Sequence, residues 1–238
     1  MRAIVLAGGQ GTRLRSMVSD VPKPMAPIGG RPFLAYLLDR LEHQGVTDVT
    51  LAIGYLGERI EAVLGARWGG LALRYVVEAE PLGTGGALRQ ALNAADGFPV
   101  FAMNGDSYVA CDLADMLRRQ RESDARLSVA VRREANTSRF GTVVVADERI
   151  VGFASERRGQ PGWINCGLYL FGENVLADPA LPDKFSFESD FLEPRAAALR
   201  PLAYEVSGYF IDIGVPEDLR RAQHELPGRL HVHAAPRS

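Results

Sequence analysis

Residues 1–14, MRAIVLAGGQGTRL, decide the fold of this chain. Residues 3–7 form a short, continuously apolar run that ends in glycines, which is typical of a strand buried on both faces of a parallel sheet. Glycines at this point let the backbone approach a ligand closely, and their exposed N–H groups suit phosphate oxygens. Leu14 stands where a dinucleotide-binding loop needs its third glycine, and no Walker A lysine follows. The pattern therefore predicts a phosphate-binding loop of another kind, with a simple tight strand exit as the alternative.

Strand-like and helical patterns alternate through the rest of the first half. Apolar residues recur at helical spacing over residues 33–44, and Gly45 follows as a C-terminal cap. Alternation of this kind implies right-handed crossovers and a sheet covered on both faces. We therefore expect an α/β fold, a Rossmann-like three-layer α/β/α sandwich with a mixed, mainly parallel central sheet. The further elements predicted in this half are strands at 49–53, 73–77 and 100–103, and helices at 58–64 and 84–92, the last capped by Thr84.

The second half of the chain is less regular, and its closely spaced strands favour antiparallel pairing. Strands are predicted at 127–131, 142–145, 150–153, 168–171, 204–206 and 209–213. Residues 187–199 predict a helix interrupted near Pro194, and Pro216 opens a final helix. Because no segment longer than a loop separates the two halves, we expect one domain over residues 1–225 and a tail over 226–238.

Composition excludes several classes of protein. The chain has 238 residues, of which 47% are hydrophobic and 24% charged, as in an ordinary globular protein. Its formal net charge of −2 provides no global positive field for nucleic acid or an anionic membrane. It contains no run of about 18 apolar residues, and its N-terminal apolar run is too short for a signal peptide. We expect a soluble cytoplasmic protein that binds neither nucleic acid nor membrane.

Cysteines and lysines are both scarce. Cys111 and Cys166 form no CxxC pair, so reduced thiols are favoured over a bridge or a zinc site. Only Lys23 and Lys184 are lysines among the 27 basic residues. Because Lys23 lies between two prolines, a stiff segment presents one compact ammonium that suits a phosphate, although a solvated lysine in a turn is the alternative.

Two aspartates follow apolar strands. Asp106 and Asp212 would lie at the carboxyl ends of strands, where open α/β sheets bind ligands. Two carboxylates that act with substrate phosphates are a usual way to hold Mg²⁺, whereas a single such aspartate is more often a turn former. A second glycine-rich loop, EPLGTGGA at residues 80–87, enters a helix. It could meet a phosphate or form a slot for a flat base, and the residues themselves do not decide between these.

Together these motifs resemble those of the sugar-1-phosphate nucleotidyltransferases. The resemblance rests on GGQGTRL at 8–14, PKP at 22–24, LGTGGA at 82–87, NGD at 104–106, INCGLY at 164–169 and DIGVPED at 212–218. The chain is most similar to the D-glycero-α-D-manno-heptose 1-phosphate guanylyltransferases, through residues 19–34, 80–89, 104–108, 185–192 and 208–218. Enzymes that use mannose 1-phosphate or transfer uridylyl groups share much of the pattern and stay open as alternatives. The resemblance implies a glycosyltransferase-A-like nucleotidyltransferase fold.

The resemblance also implies a reaction and a set of site residues. GTP and a sugar 1-phosphate would give a GDP-sugar and pyrophosphate, with Mg²⁺ held by Asp106 and Asp212, and a homo-oligomer is compatible with the family. Arg13 would stabilise the leaving pyrophosphate, and Lys23 the reacting phosphates. The implied nucleotide-binding residues are Leu6, Ala7, Gly8, Gly9, Gly11, Thr12, Arg13, Lys23, Glu80, Pro81, Gly83, Thr84, Gly85 and Asp106. The implied sugar-phosphate-binding residues are Asn104, Gly141, Glu156, Arg157, Asn165 and Asp212.

One position departs from the family pattern. Arg157 stands where many relatives have a lysine that grips the sugar phosphate, so the charge is kept while its shape and reach change. A regulatory module without catalysis is a second class of function, but such modules typically lack one of the four catalytic residues, and all four are present. A dehydrogenase is disfavoured by Leu14.

Overall fold

The structure is a computed structural model that describes residues 1–9, 21–154 and 159–229. The strands are β1 (Arg2–Leu6), β2 (Pro27–Ile28), β3 (Arg31–Pro32), β4 (Asp48–Ile53), β5 (Arg67–Trp68), β6 (Leu71–Val77), β7 (Val100–Asn104), β8 (Ser107–Val109), β9 (Leu127–Glu134), β10 (Thr142–Ala146), β11 (Arg149–Phe153), β12 (Gly162–Phe171), β13 (Leu202–Glu205) and β14 (Phe210–Asp212). The α-helices are α1 (Phe33–His43), α2 (Gly57–Leu64), α3 (Gly83–Asn93), α4 (Leu113–Arg121), α5 (Glu193–Leu199) and α6 (Pro216–Glu225).

Ten of these strands form one mixed sheet, in the order β10-β11-β13-β9-β12-β7-β1-β4-β6-β5. Its parallel part, β7-β1-β4-β6, comes from the first half of the chain and is the doubly wound unit that the alternating pattern predicts. β1 pairs with β4 on one side and with β7 on the other, so the chain reverses its winding direction at β1. A crevice forms at such a reversal, beyond the carboxyl ends of the strands.

The second half of the chain makes the sheet mixed. β12 runs antiparallel to both β7 and β9, and β10 runs antiparallel to β11, as the closely spaced strands predict. β9 and β13 pair in parallel. The expectation of a mainly parallel sheet therefore holds for the first half only, while a mixed α/β fold is confirmed.

Two apolar cores, one on each face of the sheet, make the fold three-layered. Successive residues of a strand point to opposite faces, so Val5 enters one core and Ile4 the other. The first core is covered by α1, α2, α4 and α6. The second is covered by α3, α5 and a π-helical turn over Phe187–Leu192. The predicted interruption is confirmed, because Pro194 lies in the first turn of α5, where no backbone donor is required.

Both cysteines are free and buried, which confirms the prediction of thiols. Burial raises the pKa of the Cys111 thiol to about 12 and that of Cys166 likewise to about 12. Both side chains are therefore protonated thiols in the apolar interior.

At the carboxyl end of the chain, Leu226 is fully buried and extends the packing of α6. Residues 230–238 of the predicted tail lie outside the described residues. None of the helices formed by the described residues is long and apolar enough to cross a lipid bilayer.

Candidate active site

A cleft of about 490 Å³ opens at the reversal beside β1 and β7. Its walls come from the ends of β1 and β7, the 3-10 turn Lys23–Met25, the loop into α3 and the segment after β14. The lining residues are Leu6, Gly8, Gly9, Lys23, Pro24, Glu78, Pro81, Gly83, Thr84, Ala87, Asn104, Asp106 and Gly214. Most of them belong to the predicted set, and the ones that the sequence interpretation missed are Pro24, Glu78, Ala87 and Gly214.

The first glycine-rich loop is packed as tightly as a close backbone approach requires. A Cβ atom at Gly8 would overlap the carboxylate of Glu78 and lie 3.1 Å from the backbone nitrogen of Gly54. Gly9 faces open space, and Ala7 is buried with its N–H bonded to Ala52 O. At Gly8 and Gly9 the cleft is therefore lined by main-chain atoms that no side chain covers. Gly11, Thr12 and Arg13 lie outside the described residues.

Lys23 and Asp106 line one side of the cleft, and Asp212 lies beside Asp106 without lining the cleft itself. The Lys23 ammonium forms an ion pair with the carboxylate of Asp106. Their side chains are 14% and 30% exposed, so this pair is partly withdrawn from water. The 3-10 turn that presents Lys23 is closed by the N–H of Ala26 bonding to Lys23 O at 3.0 Å. The proline-flanked lysine thus begins a hydrogen-bonded turn, and the two prolines restrict the backbone on either side of it.

β8 and β14 bring Asp212 beside Asp106. These strands form a two-stranded antiparallel ribbon in which Asp212 lies opposite Ser107. Ser107 Oγ lies 3.4 Å from Asp106 Oδ1 and 3.3 Å from Asp212 Oδ2, so one hydroxyl is within reach of both carboxylates. The N–H of Gly214 donates to Asp212 Oδ1 at 2.5 Å. Residues 106 positions apart in the chain therefore form one polar cluster, which we call the carboxylate cluster (Lys23, Asp106, Ser107 and Asp212).

Electrostatics in the carboxylate cluster favour a cation. Burial raises the pKa of Asp212, and the neighbouring Asp106 charge raises it further, whereas Lys23 lowers it. Two carboxylates thus share one ammonium in a partly desolvated place. Within the described part of the chain, no group of three or more His, Cys, Asp or Glu side chains could hold a metal alone. A two-carboxylate set suits a hard divalent ion that also binds substrate phosphates and water.

The opposite wall of the cleft carries a further carboxylate, Glu78. It follows β6, and its Oε2 atom accepts the N–H of Leu82 at 2.9 Å, just before α3 begins. Burial raises the pKa of Glu78, while the bond from Leu82 lowers it by a smaller amount. Glu80, which the sequence interpretation placed in the site, is exposed and does not line the cleft. No local sequence motif marks Glu78, because the bond that fixes it comes from Leu82 at the start of α3.

The second glycine-rich loop owes its glycines mainly to packing. α3 begins at Gly83, so Thr84 lies inside its first turn and does not cap it as predicted. A Cβ atom at Gly85 would overlap the ring of Phe185, and one at Gly83 would lie 2.5 Å from Phe185 O. Gly85 N–H donates to Phe185 O at 2.9 Å. Close approach of α3 to residues 183–187 therefore requires these small residues, and Pro81, Gly83 and Thr84 still reach the cleft.

The predicted sugar-side residues are placed less uniformly. Asn104 lines the cleft, and its buried Oδ1 atom accepts no hydrogen bond from the described residues. Asn165 lies on β12 behind that wall and Gly141 is exposed before β10. Neither lines the cleft. Glu156 and Arg157 lie outside the described residues.

An ion pair with a buried carboxylate connects the segment before Gly141 to α6. The carboxylate of Asp218 is 5% exposed and pairs with the guanidinium of Arg139. It also pairs with Arg221 at 2.9 Å. The contact between Arg139 and Asp218 joins segments 79 residues apart, so no local sequence pattern indicates it.

The chain is similar to known nucleotidyl transferases over nearly its whole length. The family model described as nucleotidyl transferase matches residues 2–228. The D-glycero-alpha-D-manno-heptose 1-phosphate guanylyltransferase of Aneurinibacillus thermoaerophilus is 42% identical over 95% of this chain and 98% of its own. The Campylobacter jejuni enzyme of the same name is 38% identical over 92% and 96%.

Solved structures agree with the sequence relatives. The crystal structure of HddC from Yersinia pseudotuberculosis has a TM-score of 0.83 and 34% identity, covering 93% of this chain and 97% of that one. A complex of HddC with GMP-PN has also been solved. Nucleotidyltransferases of this family generally use a divalent metal ion, which fits the carboxylate cluster. Since the family model covers almost every residue and both cleft walls carry the family's motifs, the chain belongs to the nucleotidyl transferase family.

Proposed function

We propose that this nucleotidyltransferase transfers GMP from GTP to D-glycero-α-D-manno-heptose 1-phosphate, giving the GDP-heptose and pyrophosphate. The names of its relatives, which match along almost their full length, support this pair of substrates. The product is an activated sugar suited to the assembly of surface polysaccharide. Two free, buried thiols are consistent with a reducing, cytoplasmic location.

Glu78 is the observation that carries the preference for guanine. An ionised carboxylate only accepts hydrogen bonds, and guanine presents two adjacent donors, N1–H and the 2-amino group. Oε2 of Glu78 is bonded to Leu82 N–H, which fixes the carboxylate at the cleft wall. Uracil and thymine offer a single N–H donor that lies between two carbonyl oxygens. An anionic carboxylate oxygen repels those two carbonyl oxygens. A half-buried carboxylate therefore selects guanine over these bases.

The reacting phosphates would lie against the carboxylate cluster. An oxygen of the sugar phosphate attacks the α-phosphorus, and the bond from that phosphorus to the bridging oxygen breaks as pyrophosphate leaves. Lys23 would neutralise negative charge on the α-phosphate, since its ammonium faces the cleft beside Asp106. Arg13 keeps its assignment to the leaving pyrophosphate as part of this proposal. Positioning and charge neutralisation thus replace acid–base chemistry.

Asp106 and Asp212 are the residues that would hold Mg²⁺. When bound, the ion supplies positive charge to the phosphate oxygens in the transition state. The surplus negative charge of the carboxylate cluster and the raised pKa of Asp212 both support a divalent ion there. Ser107 and Gly214 orient the two carboxylates through their hydrogen bonds.

A substrate panel tests the proposed function. Purified protein with Mg²⁺ is offered GTP, UTP, CTP or ATP together with heptose 1-phosphate or mannose 1-phosphate, and pyrophosphate release is measured. We expect the highest kcat/KM with GTP and heptose 1-phosphate. Preference for mannose 1-phosphate would replace the sugar assignment, and no turnover with GTP would refute the base assignment.

Two glutamates offer a matched test of base recognition. Glu78→Gln keeps the size of the side chain but puts an N–H₂ group where an acceptor is needed, so we expect kcat/KM for GTP to fall about 10- to 100-fold. Glu80→Gln is the control, because this exposed side chain lies outside the cleft lining. An equal effect of both substitutions would contradict the role given to Glu78.

A further inference from the structure

A second glutamate, Glu188, lies behind the cleft and collects hydroxyl groups from three directions. Thr84 Oγ1 donates to Glu188 Oε2 at 2.7 Å, and Tyr169 OH donates to Oε1 at 3.0 Å. Ser186 Oγ donates a weaker bond to Oε2 at 3.4 Å. Glu188 is half-buried in the π-helical turn, and it does not line the cleft. Its carboxylate therefore acts on the site only through other residues.

The Thr84 branch leads to the nucleotide wall. Thr84 lines the cleft in the first turn of α3. Its hydroxyl donates to Glu188 and accepts the N–H of Phe187 at 2.9 Å, so both bonds point away from the cleft. What Thr84 presents to a ligand is thus fixed by Glu188. Thr84 stands directly after the loop that carries Glu78, the residue that we propose to face guanine.

The Tyr169 branch leads to the opposite wall. Tyr169 is buried against the rings of Phe171 and Phe187, and its hydroxyl accepts a bond from Asn165 Nδ2 at 2.8 Å. Burial, followed by the charge of Glu188, raises the pKa of Tyr169, so this hydroxyl stays protonated and donates to Glu188. Asn165 is thereby held in one orientation.

Asn165 in turn supports Asn104, which lines the cleft. The N–H of Gly167 donates to Asn165 Oδ1 at 2.9 Å, inside the irregular part of β12 between Asn165 and Tyr169. Gly167 has a left-handed φ of 70° and packs so closely on Asn104 that a Cβ atom would lie 2.5 Å from Asn104 Nδ2. The chain of contacts from Glu188 therefore ends at the wall that carries Asn104.

We infer that Glu188 is a positioning residue that orients both cleft walls at once, the nucleotide wall through Thr84 and the acceptor wall through Tyr169 and Asn165. This inference rests on the proposed function only in naming which substrate each wall serves. It requires an acceptor at both carboxylate oxygens, because the hydroxyls of Thr84, Ser186 and Tyr169 all donate to Glu188.

Three near-isosteric substitutions separate the two branches. Thr84→Val removes the nucleotide branch, and we expect KM for the nucleotide to rise about fivefold or more while KM for the sugar phosphate stays within twofold. Tyr169→Phe removes the acceptor branch and reverses this pattern. Glu188→Gln keeps one acceptor oxygen and turns the other into an N–H₂ donor, so we expect at least one of the two KM values to rise. Where Glu188→Gln raises KM for the sugar phosphate, adding Tyr169→Phe changes that KM no further, because the Tyr169 branch is already broken.

Tyr204→Phe is the matched control for loss of a buried tyrosine hydroxyl. Tyr204 lies on β13 and does not line the cleft, and its hydroxyl donates to the carboxylate of Asp115 at 2.9 Å. Circular dichroism and thermal melting verify that each variant folds. If Glu188→Gln does not fold, Thr84→Val and Tyr169→Phe still test the two branches. The inference is overturned if Tyr169→Phe raises both KM values equally, or if Glu188→Gln leaves both unchanged. All ratios are measured on whichever substrate pair the wild-type protein uses, so a wrong substrate assignment is detected separately.

Discussion

At the scale of single residues, Gly214 leaves space for the carboxylate of Asp212 that a side chain would take away. A Cβ atom at Gly214 would lie 2.6 Å from Asp212 Oδ1 and 3.3 Å from Lys23 Nζ. The backbone of Gly214 does not need a positive φ, so an alanine there acts by contact alone. Since the nearer atom ends a side chain, the carboxylate will rotate away without disrupting the fold.

We therefore expect Gly214→Ala to lower kcat about tenfold or more and to weaken the dependence on Mg²⁺, with little change in melting temperature. Steady-state kinetics over a Mg²⁺ titration measure this. Gly152→Ala is the matched control, because no heavy atom lies within 4 Å of its Cβ position and its φ is not positive. Unchanged kinetics in Gly214→Ala would show that the orientation of Asp212 is unimportant.

The titration of Glu78 gives a prediction for pH. Burial raises the pKa of Glu78, so on acidification this carboxylate takes up a proton at a higher pH than an ordinary glutamate. Protonation replaces an acceptor by a donor, so binding of GTP weakens as pH falls through the raised pKa. We expect log kcat/KM for GTP to decline on the acid side in the wild-type protein, and the Glu78→Gln profile to lack that decline. Identical acid limbs would assign the ionisation to another group.

Residue identities were predictable from sequence only where backbone constraints mark them. Gly8, Lys23 and Asp106 stand in glycine or proline motifs or directly after a strand, and all of them line the cleft. Glu78 and Glu80 are two residues apart in the same loop, and composition alone does not indicate which of them turns inward. The bond from Leu82 decides it, and that bond exists only once α3 has formed.

At the scale of elements, α3 and the segment before the π-helical turn form one packed unit. Gly85 N–H donates to Phe185 O, and Phe185 N–H donates to Leu82 O at 3.0 Å. The guanidinium of Arg89 lies over the ring of Phe185, 5.5 Å from its centre, which closes the unit from the other end. The entrance to α3 therefore depends on residues about 100 positions later in the chain.

Gly85→Ala tests this packing. In an isolated helix the change would stabilise by about 1 kcal/mol, because alanine is the better helix former. Here the new methyl group would overlap the buried ring of Phe185, and overpacking of this kind costs about 1–3 kcal/mol. We expect the overpacking to dominate, so that the free energy of unfolding in urea falls. A stabilised Gly85→Ala would mean that Phe185 moves aside without cost.

This unit also shows why the elements were predictable in kind but not in detail. Hydrophobic periodicity located α3 to within a residue, yet assigned Thr84 to a local cap. In the structure its hydroxyl is bonded to Glu188, 104 residues away. Local patterns report the period of an element, whereas contacts at this distance depend on the finished tertiary structure.

At the scale of the whole molecule, one continuous sheet connects a parallel half and a mixed half. β7 and β12 form the junction between them, with Leu168 opposite Met103 and Phe171 opposite Val100. Residues from both halves also share each apolar core. Unfolding of one half would therefore expose the core of the other.

The two tryptophans report on the two halves separately. Trp68 lies in β5 at one edge of the sheet, and Trp163 lies in β12 in the mixed half. The variant Trp68→Phe keeps only Trp163, so its fluorescence follows the mixed half, and Trp163→Phe keeps only Trp68, which follows the parallel half. Far-UV circular dichroism follows the whole molecule in both variants. We expect the two probes to give the same urea midpoint within each variant, as a single cooperative domain requires. Separated midpoints would instead divide the chain into two domains.

The overall architecture was predictable because alternation of strands and helices permits few topologies. The parallel strands of the first half followed directly from their continuous apolar runs. The pairing of β9 with β13 and the ion pair of Asp218 with Arg139 join distant segments, so they emerge only from the assembled sheet.

The shared support at Glu188 has a consequence for attempts to alter the acceptor range of this protein. A library that varies only the surroundings of Asn165 would also disturb Thr84 through the same carboxylate, so improved use of a new sugar would often be accompanied by poorer use of the nucleotide. Epistasis between the two walls is the expected outcome. Directed evolution should therefore randomise positions 84, 169 and 188 together, so that the selection can find compensated combinations.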